Sequence, residues 1–118
     1  MRVVERRLRG SRWGEYDDPS RTVILDPRLN WVESRCVLAH EVQHAIARDV
    51  PTRYGPVNQR QERRARLQSA LLLVDVGEYA QAEETHGGAS CGIAADLDVI
   101  PEVLDDWRLA MRCAGVLA

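Results

Sequence analysis

The sequence contains no lysine and no phenylalanine, so all 16 of its basic residues are arginine. Its apolar runs fall far short of the ~20 residues that a membrane-spanning helix needs, which excludes an ordinary transmembrane protein. Three cysteines, an odd number in 118 residues, do not indicate a disulfide scaffold. The arginine-rich N-terminus also lacks the apolar segment of a secretory signal. We therefore expect a protein of a reducing, cytoplasmic compartment.

The overall composition is typical of a folded chain. Hydrophobic residues make up 45% and charged residues 29% of the sequence. A chain of this length can bury roughly two-thirds of the surface that it exposes when unfolded. The composition and length therefore predict a single domain over residues 1–118.

Charge is distributed unevenly along the chain. Residues 1–66 carry 14 arginines and nine acidic residues, whereas residues 67–118 carry two arginines and nine acidic residues. The net charge of −2 gives no general attraction to nucleic acid. The segment from Ala94 to Trp107 loosely resembles a helix-turn-helix, but its acidic side chains would face phosphates. We therefore expect no direct nucleic-acid binding.

The order of the predicted elements favours an α+β fold. Strand-like sequence surrounds a turn at Asp17–Ser20, which predicts a small antiparallel sheet of two or three strands. Helical patterns follow, at about Glu33–Arg48, at about Gln59–Val74, and at Ile93–Ala114 with an interruption near Pro101. The stretch between the second and third helical patterns contains several glycines and is predicted to be less regular.

Residues 40–44 read His-Glu-Val-Gln-His, an HExxH motif within the first predicted helix. Because residues four apart lie on one helix face, His40 and His44 can reach the same metal ion. Both lie opposite a predicted apolar stripe, which comprises Leu38, Ala39, Val42, Ala45 and Ile46. Glu41 lies about 100° around the helix and can approach a metal-bound water without being a ligand. The motif predicts a zinc site with Glu41 as general base.

A catalytic zinc site needs a third protein ligand, and Glu62 is the best candidate. A loop after the first helix lets the chain return antiparallel, and Glu62 then shares its predicted face with Ala65, Ser69 and Leu72. His86 lies in a glycine-rich stretch and is predicted to be a loop residue.

Cys36, four residues before His40, is open to two interpretations. As a fourth ligand it would close the site and make the zinc structural. As a small apolar residue it would belong to the core, and we favour this second interpretation.

The segment Arg35–Ala45 resembles the active-site helix of the ImmA/IrrE-type metallopeptidases, versions of which occur in actinobacterial phages and mobile elements. Gly14–Leu25 is similar to the hairpin that precedes this helix in the family, and Gln61–Leu73 to the glutamate-bearing helix that follows it. Ile93–Val99 resembles the closing helical segment, so that the resemblance covers most of residues 12–110.

The resemblance implies a zincin-like fold with zinc bound by His40, His44 and Glu62. It also implies that Glu41 activates a zinc-bound water to hydrolyse peptide bonds in a protein substrate. In this family the substrate is often a helix-turn-helix transcriptional repressor of a mobile element. Tyr54, in the loop between the two helices, is a candidate for stabilising the oxyanion.

The sequence departs from the family pattern at Arg66, four residues after Glu62. Family members commonly carry Asp or Asn there, which can accept a hydrogen bond from a ligand histidine. An arginine cannot do so, and at this spacing it could pair with Glu62 in competition with a metal. The alternative to a peptidase is therefore a catalytically silent zincin-fold protein that binds a regulatory partner without cleaving it. The oligomeric state is left open.

Overall fold

The computed structural model describes residues 1–117, in which three short strands precede five helices. The strands are β1 (Arg2–Glu5), β2 (Gly14–Asp17) and β3 (Thr22–Leu25). The helices are α1 (Trp31–Ala47), α2 (Gly55–Leu73), α3 (Val76–His86), α4 (Ser90–Asp96) and α5 (Pro101–Cys113). The predicted α+β class is confirmed. Among residues 1–117, none of these helices is long and apolar enough to cross a membrane.

The three strands form one mixed sheet in the order β1-β3-β2. Strands β2 and β3 pair antiparallel, with Gly14 opposite Leu25, as the turn signal predicts. Strand β1 pairs parallel with β3, so the prediction of a purely antiparallel sheet is wrong for this strand. The reason is that β3 is buried along its whole length and occupies the centre, while residues 6–13 carry the chain across it from β1 to β2.

Helix α1 has well-defined signals at both ends. Asn30 caps its N-terminus by accepting a 2.8 Å hydrogen bond from the Glu33 N–H, and Glu33 Oε1 accepts one from the Asn30 N–H at 3.0 Å. At the other end Arg48 adopts the left-handed conformation. The helix is covered by the sheet on one side and by α2 on another, and therefore has no single apolar stripe. Ile46, assigned to that stripe from the sequence, is 70% exposed.

Helix α3 occupies the stretch predicted to be irregular. Asp75 caps it by accepting a hydrogen bond from the Glu78 N–H at 3.0 Å, and Gly77 is tolerated because it lies in the first turn. His86 is the last residue of this helix rather than a loop residue, and its Nε2 lies 2.8 Å from Asp96 Oδ2. The predicted interruption between α4 and α5 is present, with Pro101 at the start of α5.

Two apolar clusters hold the elements together. The larger one lies among the helices and is centred on Trp107, whose ring packs 4.3 Å from that of Tyr79. The smaller one lies under the sheet and comprises Tyr16, Val23, Leu25 and Ala45. Cys36 belongs to the larger cluster, so α1 contributes to both and is fixed between them.

Candidate metal centre

Helix α1 brings the two motif histidines together on one face. The Nε2 atoms of His40 and His44 lie 3.2 Å apart, and the rings meet nearly edge-on at a centroid distance of 4.9 Å. Both side chains are partly buried. The two nitrogens therefore face the same small volume, as expected for residues one helical turn apart.

Helix α2 adds the carboxylate of Glu62 to this pair. Its Oε1 lies 2.7 Å from His40 Nε2, and its Oε2 lies 3.2 Å from His44 Nε2. The helices approach closely because Ala65 and Ser69, one and two turns after Glu62, are small and buried. Leu72, predicted to lie on the same face, borders a cavity with residues of α1 and is 67% exposed.

The donor set fits a zinc ion. The three donor atoms lie within 4.8 Å of one another in this structure. Ligand atoms about 2.0–2.2 Å from a tetrahedral zinc are about 3.3 Å apart, close to the spacings between the donors here. Two imidazoles and one carboxylate also form a recognised ligand set of catalytic zinc sites, in which a fourth position stays open. The Glu62 side chain is 52% exposed, so the site has access to solvent.

Charges within the cluster are strongly coupled. Burial alone would lower the pKa of His44, but hydrogen bonds to Glu62 and Asp49 outweigh it and raise the pKa to about 9. Hydrogen bonds from His40 and His44 in turn hold the pKa of Glu62 far below its ordinary value. In the metal-free chain the cluster therefore holds an ionised carboxylate beside a protonated imidazole.

Glu41 points from α1 toward strand β2 and is buried. Burial is the main reason that its pKa is raised above the ordinary value. Gly14 of β2 lies directly against it, since a Cβ at position 14 would be 3.1 Å from Glu41 Cγ and only 2.4 Å from Val37 Cγ1. The absence of a side chain at Gly14 thus allows the strand to approach the motif helix this closely.

Two cavities meet at Gly14 and Glu41. One, of about 280 Å³, reaches His44 and Glu62 between β2 and the loop before α2. The other, of about 330 Å³, lies beside His40 and is more apolar, with walls that include Trp13, Ile100 and Val103. The guanidinium of Arg28 stacks over the Trp13 ring, 5.0 Å from its centroid. The two cavities share Gly14 and Glu41 in their walls, and together they make up the cleft beside the donor atoms.

Strand β2 lies at the free edge of the sheet, beside this cleft. The Trp13 carbonyl accepts a hydrogen bond from the Asp26 N–H at 2.9 Å. Because hydrogen-bonding direction alternates along an antiparallel strand, the main-chain groups of Gly14 and Tyr16 face away from β3. The cleft therefore offers main-chain donors and acceptors to an extended segment.

Asp49 is a site residue that the sequence reasoning missed. Its Oδ2 lies 2.8 Å from His44 Nδ1, and it also contacts the Arg64 guanidinium. A usable signal was present, because an acidic residue directly after the end of the motif helix can fold back onto its last turn.

Other candidate residues take different roles from those considered. Arg66 pairs with Asp106 of α5 at 2.9 Å, and not with Glu62 as the spacing suggested, because the Asp106 carboxylate is largely buried beside it. Cys36 packs in the helical core, in agreement with the favoured interpretation. The Tyr54 side chain is 63% exposed at the start of α2 and lines neither cavity of the cleft.

A helix with HExxH, a glutamate from the following helix and a free strand edge beside them define the zincin-like class of small domains. The IrrE N-terminal-like domain family (Peptidase_M78) matches residues 2–106, and the chain belongs to this family. The resemblance to ImmA/IrrE-type proteins is thereby confirmed, and it extends to β1, before the expected start at residue 12. Membership supports a metallopeptidase-type function. No curated protein and no solved structure matches the chain.

Proposed function

We propose that the protein is a zinc-dependent metalloendopeptidase, with zinc held by His40, His44 and Glu62. The observation that carries this proposal is the convergence of the three donor atoms beside a buried Glu41. A zinc ion bound there would lower the pKa of a water molecule and polarise the scissile carbonyl. Membership of a peptidase family supports the same conclusion.

Glu41 acts as the proton carrier. Its carboxylate accepts a proton from the attacking water as the new C–O bond forms at the peptide carbonyl. The same group then donates that proton to the leaving amine as the C–N bond breaks.

The substrate binds as an extended segment along strand β2. The outward main-chain groups of Gly14 and Tyr16 pair with it as an added strand. The neighbouring cavity at Trp13 and Val103 receives an apolar side chain of the substrate. Such binding requires an unfolded or flexible stretch of a protein.

A helix-turn-helix repressor is our candidate substrate, because the chain resembles ImmA/IrrE-type proteins. The compartment in which we place the reaction is the cytoplasm.

The catalytically silent alternative is favoured by one observation, the arginine at position 66. The pairing of Arg66 with Asp106 weakens this alternative, because the guanidinium is held by α5 and leaves the Glu62 carboxylate to the histidines. We therefore place the peptidase first.

Metal content and hydrolysis together test the proposal. The wild-type chain and the variants Glu41→Gln and Glu62→Ala are purified without added metal, assayed for zinc by elemental analysis, and supplied with zinc and a pool of random quenched-fluorescent peptides. We expect about one zinc per wild-type and Glu41→Gln chain and clear loss in Glu62→Ala. Glu41→Gln should hydrolyse the peptides roughly 10²–10⁴-fold more slowly than wild type.

Two results would contradict the proposal. Full activity of zinc-loaded Glu41→Gln would exclude Glu41 as the proton carrier. A zinc-loaded wild type that cleaves neither the peptide pool nor a helix-turn-helix repressor would favour the silent alternative.

A further inference from the structure

Asp49 lies behind the candidate metal ligands, on the side of His44 away from Glu62. Its Oδ2 is 2.8 Å from His44 Nδ1, while His44 Nε2 faces Glu62 and His40. The Asp49 side chain is only 9% exposed. A buried carboxylate placed on one ring nitrogen leaves the opposite nitrogen directed into the donor cluster.

The end of helix α1 accounts for the position of Asp49. Arg48 takes the left-handed conformation at φ 56°, and its N–H donates to the Ala45 carbonyl at 3.2 Å. The Asp49 N–H then donates to the carbonyl of His44 itself at 2.9 Å. These two bonds form a Schellman motif, which turns the chain back over the last helical turn. Main chain and side chain of Asp49 therefore both contact His44.

Helix α2 holds Asp49 from the other side. The Arg64 guanidinium contacts the same Oδ2 atom that faces His44. Arg64 lies two residues after Glu62, so one helix supplies both the third donor and the partner of Asp49. The Arg64 contact fixes the Asp49 carboxylate in place, and a carboxylate oxygen at this distance can accept a hydrogen bond from Nδ1–H.

We infer that Asp49 is the positioning residue of the metal centre, accepting the Nδ1–H of His44 so that the Nε2 lone pair points at the metal. This inference rests on the proposed zinc site. Asp49 would then be the acidic partner of a ligand histidine in this chain. Position 66, four residues after Glu62, cannot supply that partner because it is an arginine, which pairs with Asp106. The partner comes instead from the loop after α1, locked by Arg64.

Zinc affinity and the tautomer of His44 test this inference. Zinc dissociation constants are measured by competition with a chromophoric chelator for wild type, Asp49→Ala, Asp49→Asn and Arg64→Ala. We expect Asp49→Ala to bind zinc about 10–100-fold more weakly than wild type. Asp49→Asn keeps a hydrogen-bond acceptor but loses the negative charge, and Arg64→Ala only removes the guanidinium that contacts the Asp49 carboxylate. Both variants should therefore lose less zinc affinity than Asp49→Ala.

Asp96→Asn is the matched control. Asp96 also faces a histidine, His86, at 2.8 Å, but outside the donor cluster. It should bind zinc as wild type does. Nitrogen-15 correlation spectra of the zinc-loaded wild type should show His44 protonated at Nδ1 and not at Nε2, a signature that a merely structural role would not require.

The outcomes separate this inference from the proposed function. A wild type that takes up no zinc overturns both. A folded Asp49→Ala chain with wild-type zinc affinity overturns the positioning role and leaves the zinc site intact. If Asp49→Ala fails to fold, the inference is tested by the zinc affinity of the near-isosteric Asp49→Asn and by the nitrogen-15 spectrum of the wild type. Unchanged affinity in Asp49→Asn together with His44 protonated at Nε2 overturns the inference.

Discussion

The protonation of His44 is governed by two carboxylates, one on each ring nitrogen. Asp49 lies 2.8 Å from Nδ1 and Glu62 lies 3.2 Å from Nε2. These contacts outweigh the effect of burial and raise the pKa of His44 to about 9. A metal can bind Nε2 only after this nitrogen has lost its proton, so proton and metal compete for one atom.

Zinc affinity should therefore depend on pH. Below pH 9 each zinc ion displaces the proton on His44 Nε2, and the association constant should rise about tenfold per pH unit. Chelator competition between pH 6.5 and 8.5 measures this slope. An association constant that stays level over this range would show that His44 is already neutral in the metal-free chain.

The same shift gives the metal-free fold a pH dependence of known sign. The pKa of His44 is about 9 in the folded chain and 6.5 as the ordinary value. Its stabilising contribution is therefore complete below pH 6.5 and is lost as the pH rises through about 9. Thermal unfolding in the presence of a chelator should show the midpoint decreasing over this window, and Asp49→Ala should flatten the decrease.

At the scale of elements, the packing of β2 on α1 sets where Glu41 lies. A Cβ at position 14 would be 2.4 Å from Val37 Cγ1, a branched atom near the helix backbone that has little freedom to move. Strand and helix must separate if this position gains a side chain. The approach of the strand edge to Glu41 therefore depends on one glycine.

Gly14→Ala should lower the free energy of unfolding by about 1–3 kcal/mol, the usual cost of overpacking. Val37→Ala removes the clashing atom, and in the double variant part of this cost should be recovered. The coupling between positions 14 and 37 is measured by chemical denaturation of the wild type, both single variants and the double variant. Strictly additive effects would contradict the contact between these two positions.

Helices α1 and α2 were predictable because their signals are local. The HExxH spacing and the return to Glu62 lie within short stretches of sequence, although the cap at Asn30 places the start of α1 at Trp31, before the expected Glu33. The break before α5 was predictable from Pro101 for the same reason. Helix α3 was missed because Gly77 argues against a helix, although Asp75 is a good N-cap.

Long-range partnerships were not predictable from these signals. Strand β1 pairs parallel with β3 because residues 6–13 carry the chain to the opposite edge of the sheet, a connection that no local pattern in residues 2–5 contains. Arg66 has Glu62 at helical spacing, but the chain brings Asp106 from forty positions away. The structure brings together the three residues that the sequence predicts as metal ligands. Their binding of a metal ion stays a prediction.

At the scale of the whole molecule, α1 is fixed between two apolar clusters while α2 supplies the third donor. Cys36 faces the helical cluster and Ala45 the cluster under the sheet. A metal bound by His40, His44 and Glu62 would join α1 to α2 directly. Metal binding is then coupled to the stability of the fold, since the donors meet only when both helices are packed.

Zinc should therefore stabilise the folded chain against heat. At free zinc about 1,000 times the dissociation constant, the gain is about 4 kcal/mol. Differential scanning of the metal-free chain with and without zinc should show a higher midpoint with zinc, and Glu62→Ala should lose most of this increase. Magnesium, which prefers six oxygen ligands, serves as the control and should leave the midpoint unchanged. A wild-type midpoint that does not respond to zinc would contradict the site.

Trp13 gives the cleft an optical property. Its indole is 42% exposed at the wall of the apolar cavity and stacks with the Arg28 guanidinium. Trp107 is 1% exposed in the core, and Trp31, which is 64% exposed, lines neither cavity of the cleft. Indole emission shifts to the blue and changes in yield when water leaves the ring. A peptide that enters the cleft displaces water from Trp13 and leaves Trp31 and Trp107 unaffected. Occupancy of the cleft is thus readable from intrinsic fluorescence, without a labelled substrate and without turnover.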